Sequence, residues 1–141
     1  MNPFRSLREY ELLVYTLSER FPAILRSTLV VARRGRQYAE LTGELLFLDG
    51  YRLVVYERLT WDTGPLAIED YSYEVWRNAE ELYWYDSQPH PGDLTLASTD
   101  PHHKHIPPDI KHHRVPAPNL DVAVPNLPFL ISEIEAILRP R

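Results

Sequence analysis

Asp49-Gly50 separates two long runs, QYAELTGELLFL before it and YRLVVYERLTW after it, both rich in β-branched and aromatic residues. No other feature restricts the chain so tightly. A type I′ turn needs positive φ at both central residues, which Gly reaches freely and Asp tolerates, so the two runs should pair as antiparallel neighbours. The same texture recurs in TLVVA ahead of RRGR and, past the loop DTGP, in AIEDYSYEVW and ELYWYD on either side of RNAE. Together these segments predict a meander of about five antiparallel strands.

Helical spacing brackets the strands. Over residues 5–21, Leu7, Tyr10, Val14, Leu17 and Phe21 recur at helical spacing, and Pro22 ends the pattern. Near the other end, Asn126 is placed to cap a helix whose apolar stripe is Leu130, Ile131, Ile134, Ile137 and Leu138. Between the last strand and Asn126 the chain turns Pro-rich, with ten of its 13 prolines lying from Pro89 onward. Regular structure is hard to sustain there. The reading is a single α+β domain over residues 1–141, with one helix at each end and a long Pro/His-rich loop beside the sheet. A structureless loop of that length is uncommon in a compact domain unless it carries a function.

Composition narrows the setting. No apolar run is long enough to span a membrane, and MNPFRSLREYELL mixes charges into its apolar residues as a signal peptide does not, so a cytoplasmic protein with no membrane partner is expected. The absence of cysteine removes disulfides, thiol nucleophiles and Cys-based zinc sites. A net charge of −5 argues against nonspecific coating of nucleic acid, which needs clustered cations.

The chemistry concentrates in PHHKHIPPDIKHH, residues 101–113, which holds five of the six histidines, with His90 just upstream. In an extended strand the side chains of His103 and His105 project to one side, so they can chelate one metal. His90 would complete a three-nitrogen zinc or other divalent site with an open position for water. No motif calls for any other cofactor. A metal-free reading is equally concrete: RNA cleavage through the 2′-hydroxyl needs a base, an acid and a cation, and His90, His103 and His105 suit the first two roles. Lys104, or the group Arg33, Arg34 and Arg36, would supply the charge, and Tyr71 and Tyr73, on one strand face, could stack bases. Glu57 and Asp86 are the carboxylates of interest, because Asp86 ends the strand that feeds into Pro89-His90 and can orient an imidazole or bind a metal. The plainer alternatives are arginines solvating a hairpin tip, tyrosines packed in a core and histidines punctuating an exposed loop.

The succession Asp49-Gly50-Tyr51-Arg52-Leu53 leading to Glu57, then Tyr71-Ser72-Tyr73, Tyr85-Asp86, Pro89-His90 and Pro101-His102-His103-Lys104-His105 resembles the TumE family, small prokaryotic toxins of toxin–antitoxin pairs. The resemblance covers about residues 40–106. It implies a growth inhibitor neutralised by an adjacently encoded antitoxin of helix-turn-helix type, with ribonuclease action on RNA as an extension and homodimerisation left open. The family pattern has an arginine before the Tyr-Asp pair and an asparagine after it, where this chain has Trp84 and Ser87. If that arginine serves phosphate, this chain is either weakened or uses another cation. Two readings outside this one stay open, a non-catalytic protein-binding module and a metal-dependent hydrolase.

Overall fold

The computed structural model describes residues 3–61 and 64–139. Among them are three α-helices, α1 Leu7–Tyr15, α2 Leu17–Arg20 and α3 Leu127–Leu138. The strands are β1 Arg26–Ser27, β2 Val30–Arg33, β3 Tyr38–Leu46, β4 Tyr51–Thr60, β5 Ala67–Arg77, β6 Glu80–Asp86, β7 His103–His105 and β8 Arg114–Pro116. They form one sheet in the order β1-β3-β4-β5-β6-β7-β8, with β2 also paired to β3, and every pairing is antiparallel. No helix among the described residues is long and apolar enough to cross a membrane.

The expected meander is present as β2 to β6, but the sheet has eight strands and not about five. The Pro-rich segment accounts for most of the excess, because it is not structureless. No proline interrupts residues 102–106, so His103–His105 is free to join β6. Pro116 sits in β8, at the edge of the sheet, where a missing N–H costs no ladder bond.

The Asp49-Gly50 turn carries the positive φ its residues predict, 60° at Asp49 and 79° at Gly50, in a three-residue loop closed by Phe47 N–H donating to Tyr51 O at 2.8 Å. The neighbouring turn is docked against it: Asn78, also at positive φ, donates its N–H to Gly50 O at 3.0 Å. The helix expected over 5–21 is interrupted at Thr16, whose hydroxyl donates to Leu12 O at 2.7 Å and competes with the helical ladder. Asn126 occupies the position before α3 but makes no side-chain cap. Its amide donates to Tyr73 Oη at 3.2 Å and Asp121 O at 2.9 Å, and its Oδ1 accepts from Asp121 N–H.

Strand alternation splits the sheet into two unlike faces. One face, carrying Leu41, Leu53, Val55, Tyr73 and Val75, is buried with Leu7, Tyr10 and Val14 of α1 and Leu130, Ile131 and Ile134 of α3. Glu57 is in the middle of this apolar layer, fully buried. Its two carboxylate oxygens accept hydrogen bonds from Tyr10 Oη and Tyr73 Oη, so the group links α1, β4 and β5. Burial raises its pKa from 4.5 to about 7, against the two tyrosine bonds, which pull it down.

Two predictions follow from this packing. Gly43 of β3 has φ of 133°, and a Cβ there would lie 2.5 Å from Thr28 O in the bend between β1 and β2. Gly43→Ala is therefore expected to lower stability in urea denaturation by more than about 1 kcal/mol. For Glu57, the folded state holds its proton to higher pH than the unfolded state, so stability is fully present below the unfolded value and falls as pH rises toward 7. Unfolding curves of the parent and Glu57→Gln, taken between pH 5 and 8, should diverge in that direction by up to about 3 kcal/mol. Parallel curves would show that Glu57 titrates normally.

Candidate functional site on the outer face

The other face of the sheet carries the histidines, and β6 shows why. Tyr85 points into the core toward Phe129 of α3, so Trp84 and Asp86 point outward. The β6–β7 ladder sets Asp86 opposite His103 and Trp84 opposite His105, and the β7–β8 ladder sets Arg114 opposite His105. Cross-strand partners share a face, so these five side chains converge.

Asp86, His103 and His105 close into a buried triangle. His103 Nε2 lies 2.8 Å from Asp86 Oδ1, His105 Nε2 lies 3.3 Å from Asp86 Oδ2, and the two Nε2 atoms are 3.2 Å apart. Each ring is held from behind: His103 Nδ1 is 3.1 Å from Pro101 O, and His105 Nδ1 is 2.8 Å from Ile110 O. A carbonyl only accepts, so both Nδ1 atoms carry hydrogen and both Nε2 atoms face Asp86. Trp84 stacks on His105 at 3.9 Å with an interplanar angle of 8°.

The electrostatics separate the two imidazoles. Burial opposes the charge on His103, but the hydrogen bond it donates to Asp86 and the negative charge of that carboxylate outweigh the cost and raise the pKa. Burial lowers His105, with the Ile110 carbonyl and Asp86 offsetting only part of it. Burial also opposes ionisation of Asp86, yet the His103 bond and the Gln88 N–H bond leave it below the ordinary carboxylate value.

His90 stands beside this group, its ring 4.8 Å from that of His103. Arg114 Nη1 approaches it, 2.7 Å from Nδ1 and 2.8 Å from Nε2. Burial and then the Arg114 charge lower the His90 pKa. Next to the cluster is a cleft of about 610 Å³, lined by Tyr56, Glu69, Asp70, Trp84 and Asp86 among others. Among the described residues, Arg114 Nε and Trp84 Nε1 are buried donors with no hydrogen-bond partner.

Several residues singled out in the sequence lie elsewhere. Glu57 is on the opposite face under the helices, so it is not grouped with the histidines. Lys104, between two outward histidines, points inward, 3.6 Å from Glu133 of α3 and over the ring of Tyr83. Tyr71 and Tyr73 are buried against each other at 4.8 Å, with their hydroxyls on His102 and Glu57, and offer no face to a base. Arg33 and Arg34 pair with Glu11 and Glu40 at the β2–β3 tip, which also carries the exposed Arg36. That tip belongs to the far edge of the sheet, five strand spacings from β7 or roughly 24 Å.

For a metal, the three-residue set is Asp86, His103 and His105, with ligand atoms within 4.8 Å of one another, in place of the expected His90, His103 and His105. The cation beside the histidines is Arg114, which sequence reading missed. It follows His112-His113 in an apparently irregular segment, and only the β8 register brings it to His105.

The chain matches the family model described as Toxin TumE over residues 14–138, from within α1 to the end of α3. It belongs to the TumE toxin family. Neither the curated proteins nor the solved structures contain a match. Membership implies an antitoxin partner. Trp84 covers His105, and Arg114 brings a guanidinium to the same cluster from β8.

Proposed function

We propose that this TumE toxin inhibits growth by catalysis, cleaving phosphodiester bonds in RNA at the outer-face cluster until its antitoxin neutralises it. The observation that carries the reading is the buried Asp86–His103–His105 triangle with Arg114 and His90 beside it, next to an open cleft. A buried, mutually hydrogen-bonded set of ionisable groups contributes little to a core and much to proton and charge transfer.

Geometry limits how the work can be divided. With their Nε2 atoms 3.2 Å apart and both rings buried, His103 and His105 cannot straddle a phosphate as separate base and acid. They act as one unit, presented to the cleft through Asp86. His90 is less buried and, with its pKa lowered, is largely neutral near pH 7, which suits a proton acceptor. Arg114 supplies the charge that a phosphoryl oxygen requires. The antitoxin is read as a helix-turn-helix protein encoded next to the toxin, and the cytoplasm as the place of action.

Expression of this chain alone should slow growth, and co-expression of its genomic neighbour should restore it. Asp86→Asn, His105→Gln and Arg114→Ala should each relieve the inhibition and lower RNA cleavage by on the order of 10²–10⁴. Arg34→Ala, which changes a cation far from the cluster, should remain toxic. Undiminished toxicity of a folded Asp86→Asn/His105→Gln double variant would overturn the catalytic reading.

A further inference from the structure

We infer that Asp86, His103 and His105 form a binding site for one first-row divalent transition ion, held by both Nε2 atoms and the Asp86 carboxylate. This deepens the catalytic reading above by naming what the buried triangle holds, but it is tested by binding and not by activity.

The tautomers carry the first part of the argument. Because Pro101 O and Ile110 O each take an Nδ1 hydrogen, both neutral rings present Nε2 lone pairs to each other and to a carboxylate. Three acceptors facing one another in a buried place repel unless a cation lies between them. One proton on Nε2 of His103 has to be shared between Asp86 at 2.8 Å and His105 at 3.2 Å. A metal ion satisfies all three at once.

The spacing agrees. Donors about 2.1 Å from a shared ion are separated by about 3.0 Å at right angles and about 3.4 Å at a tetrahedral angle. The two Nε2 atoms are 3.2 Å apart, and the carboxylate meets them through both of its oxygens, Oδ1 at 2.8 Å from His103 and Oδ2 at 3.3 Å from His105. The outer contacts are those a metal site needs: a ligating histidine ordinarily donates its other N–H to a carbonyl or carboxylate, which fixes the ring. Here two backbone carbonyls do so, and the Trp84 ring holds His105 from its face.

The donor set selects the ion. Two imidazoles and one carboxylate suit zinc, cobalt, nickel or iron and leave further coordination positions open, whereas magnesium and calcium favour oxygen. An ion here also bears on the substrate. The charged residues of the cleft wall are Glu69, Asp70 and Asp86, all acidic, which would repel a polyanion. A divalent ion beside Asp86, together with Arg114, would offset that charge where a phosphate would bind.

The experiment uses the full chain without a histidine tag, stripped with chelator and titrated calorimetrically with Zn²⁺ and Co²⁺. The expected result is one ion per chain, unaffected by excess Mg²⁺, with Co²⁺ shifting the NMR resonances of two imidazole rings. Asp86→Asn and His105→Gln should each weaken binding by ~100-fold or more. The His112→Ala/His113→Ala variant removes the exposed histidines of the same segment and should bind as the parent does. No uptake by the parent would overturn the inference, as would parent-like affinity in the folded Asp86 and His105 variants, or uptake lost with His112 and His113. The Co²⁺-shifted resonances decide the matter in the parent if a variant fails to fold. Toxicity that needs His105 in a protein taking up no metal would refute the ion and leave the catalytic reading standing. Metal bound by a protein whose toxicity ignores His105 would do the reverse.

Discussion

The β6–β7 ladder is the constraint on which the rest of the site depends. It sets Asp86 opposite His103 and Trp84 opposite His105, so a single register makes the triangle and the ring stack together. A slip of one residue would turn the histidines inward and Lys104 outward, since neighbouring side chains on a strand alternate. The register is held on the opposite face by apolar packing. Tyr83 and Tyr85 point toward α3, and Lys104, lying over both rings, reaches Glu133 from the same side. The core therefore positions the chemistry without taking part in it.

Two buried carboxylates show how environment divides one residue type into two roles. Glu57 meets only neutral hydroxyl donors in an apolar layer, and its pKa climbs to about 7. Asp86 is also buried, but a hydrogen bond from an imidazole and one from a backbone N–H keep it ionised. Tyrosine-bridged Glu57 ties α1 to the sheet and, through Tyr73 and Asn126, to the start of α3. An anionic Asp86 is what a cationic partner requires.

The central strands were legible because their signals are local. Asp49-Gly50 fixes a turn by backbone conformation alone, and the helical stripes Leu7, Tyr10, Val14 and Leu130, Ile131, Ile134 appear as buried faces. The Pro-rich segment misled because proline density signals irregularity on average, whereas three proline-free residues are enough for a short strand. Asn126 misled for a related reason: its amide has a stronger claim on it from Tyr73 and Asp121 than the helix end does. Arginines and tyrosines grouped by proximity in the sequence proved to be tied to carboxylates or packed together, because clustering along the chain carries no information about sheet face.

By itself, the sequence determined the antiparallel meander, the apolar faces of its two terminal helices and the pairing of His103 with His105, all consequences of periodicity over a few residues. Tertiary structure decided that Asp86, which the sequence offered as a partner for an imidazole, meets both histidines and that Arg114 joins them. Asp86 and Arg114 reach them from strands 17 and 11 residues away along the chain, counted from His103 to Asp86 and from His103 to Arg114, while adjacent Lys104 is turned to the other face. Strand register, unlike turn conformation or helical period, is set by the packing of the whole sheet against its helices, and no local run of residues encodes it.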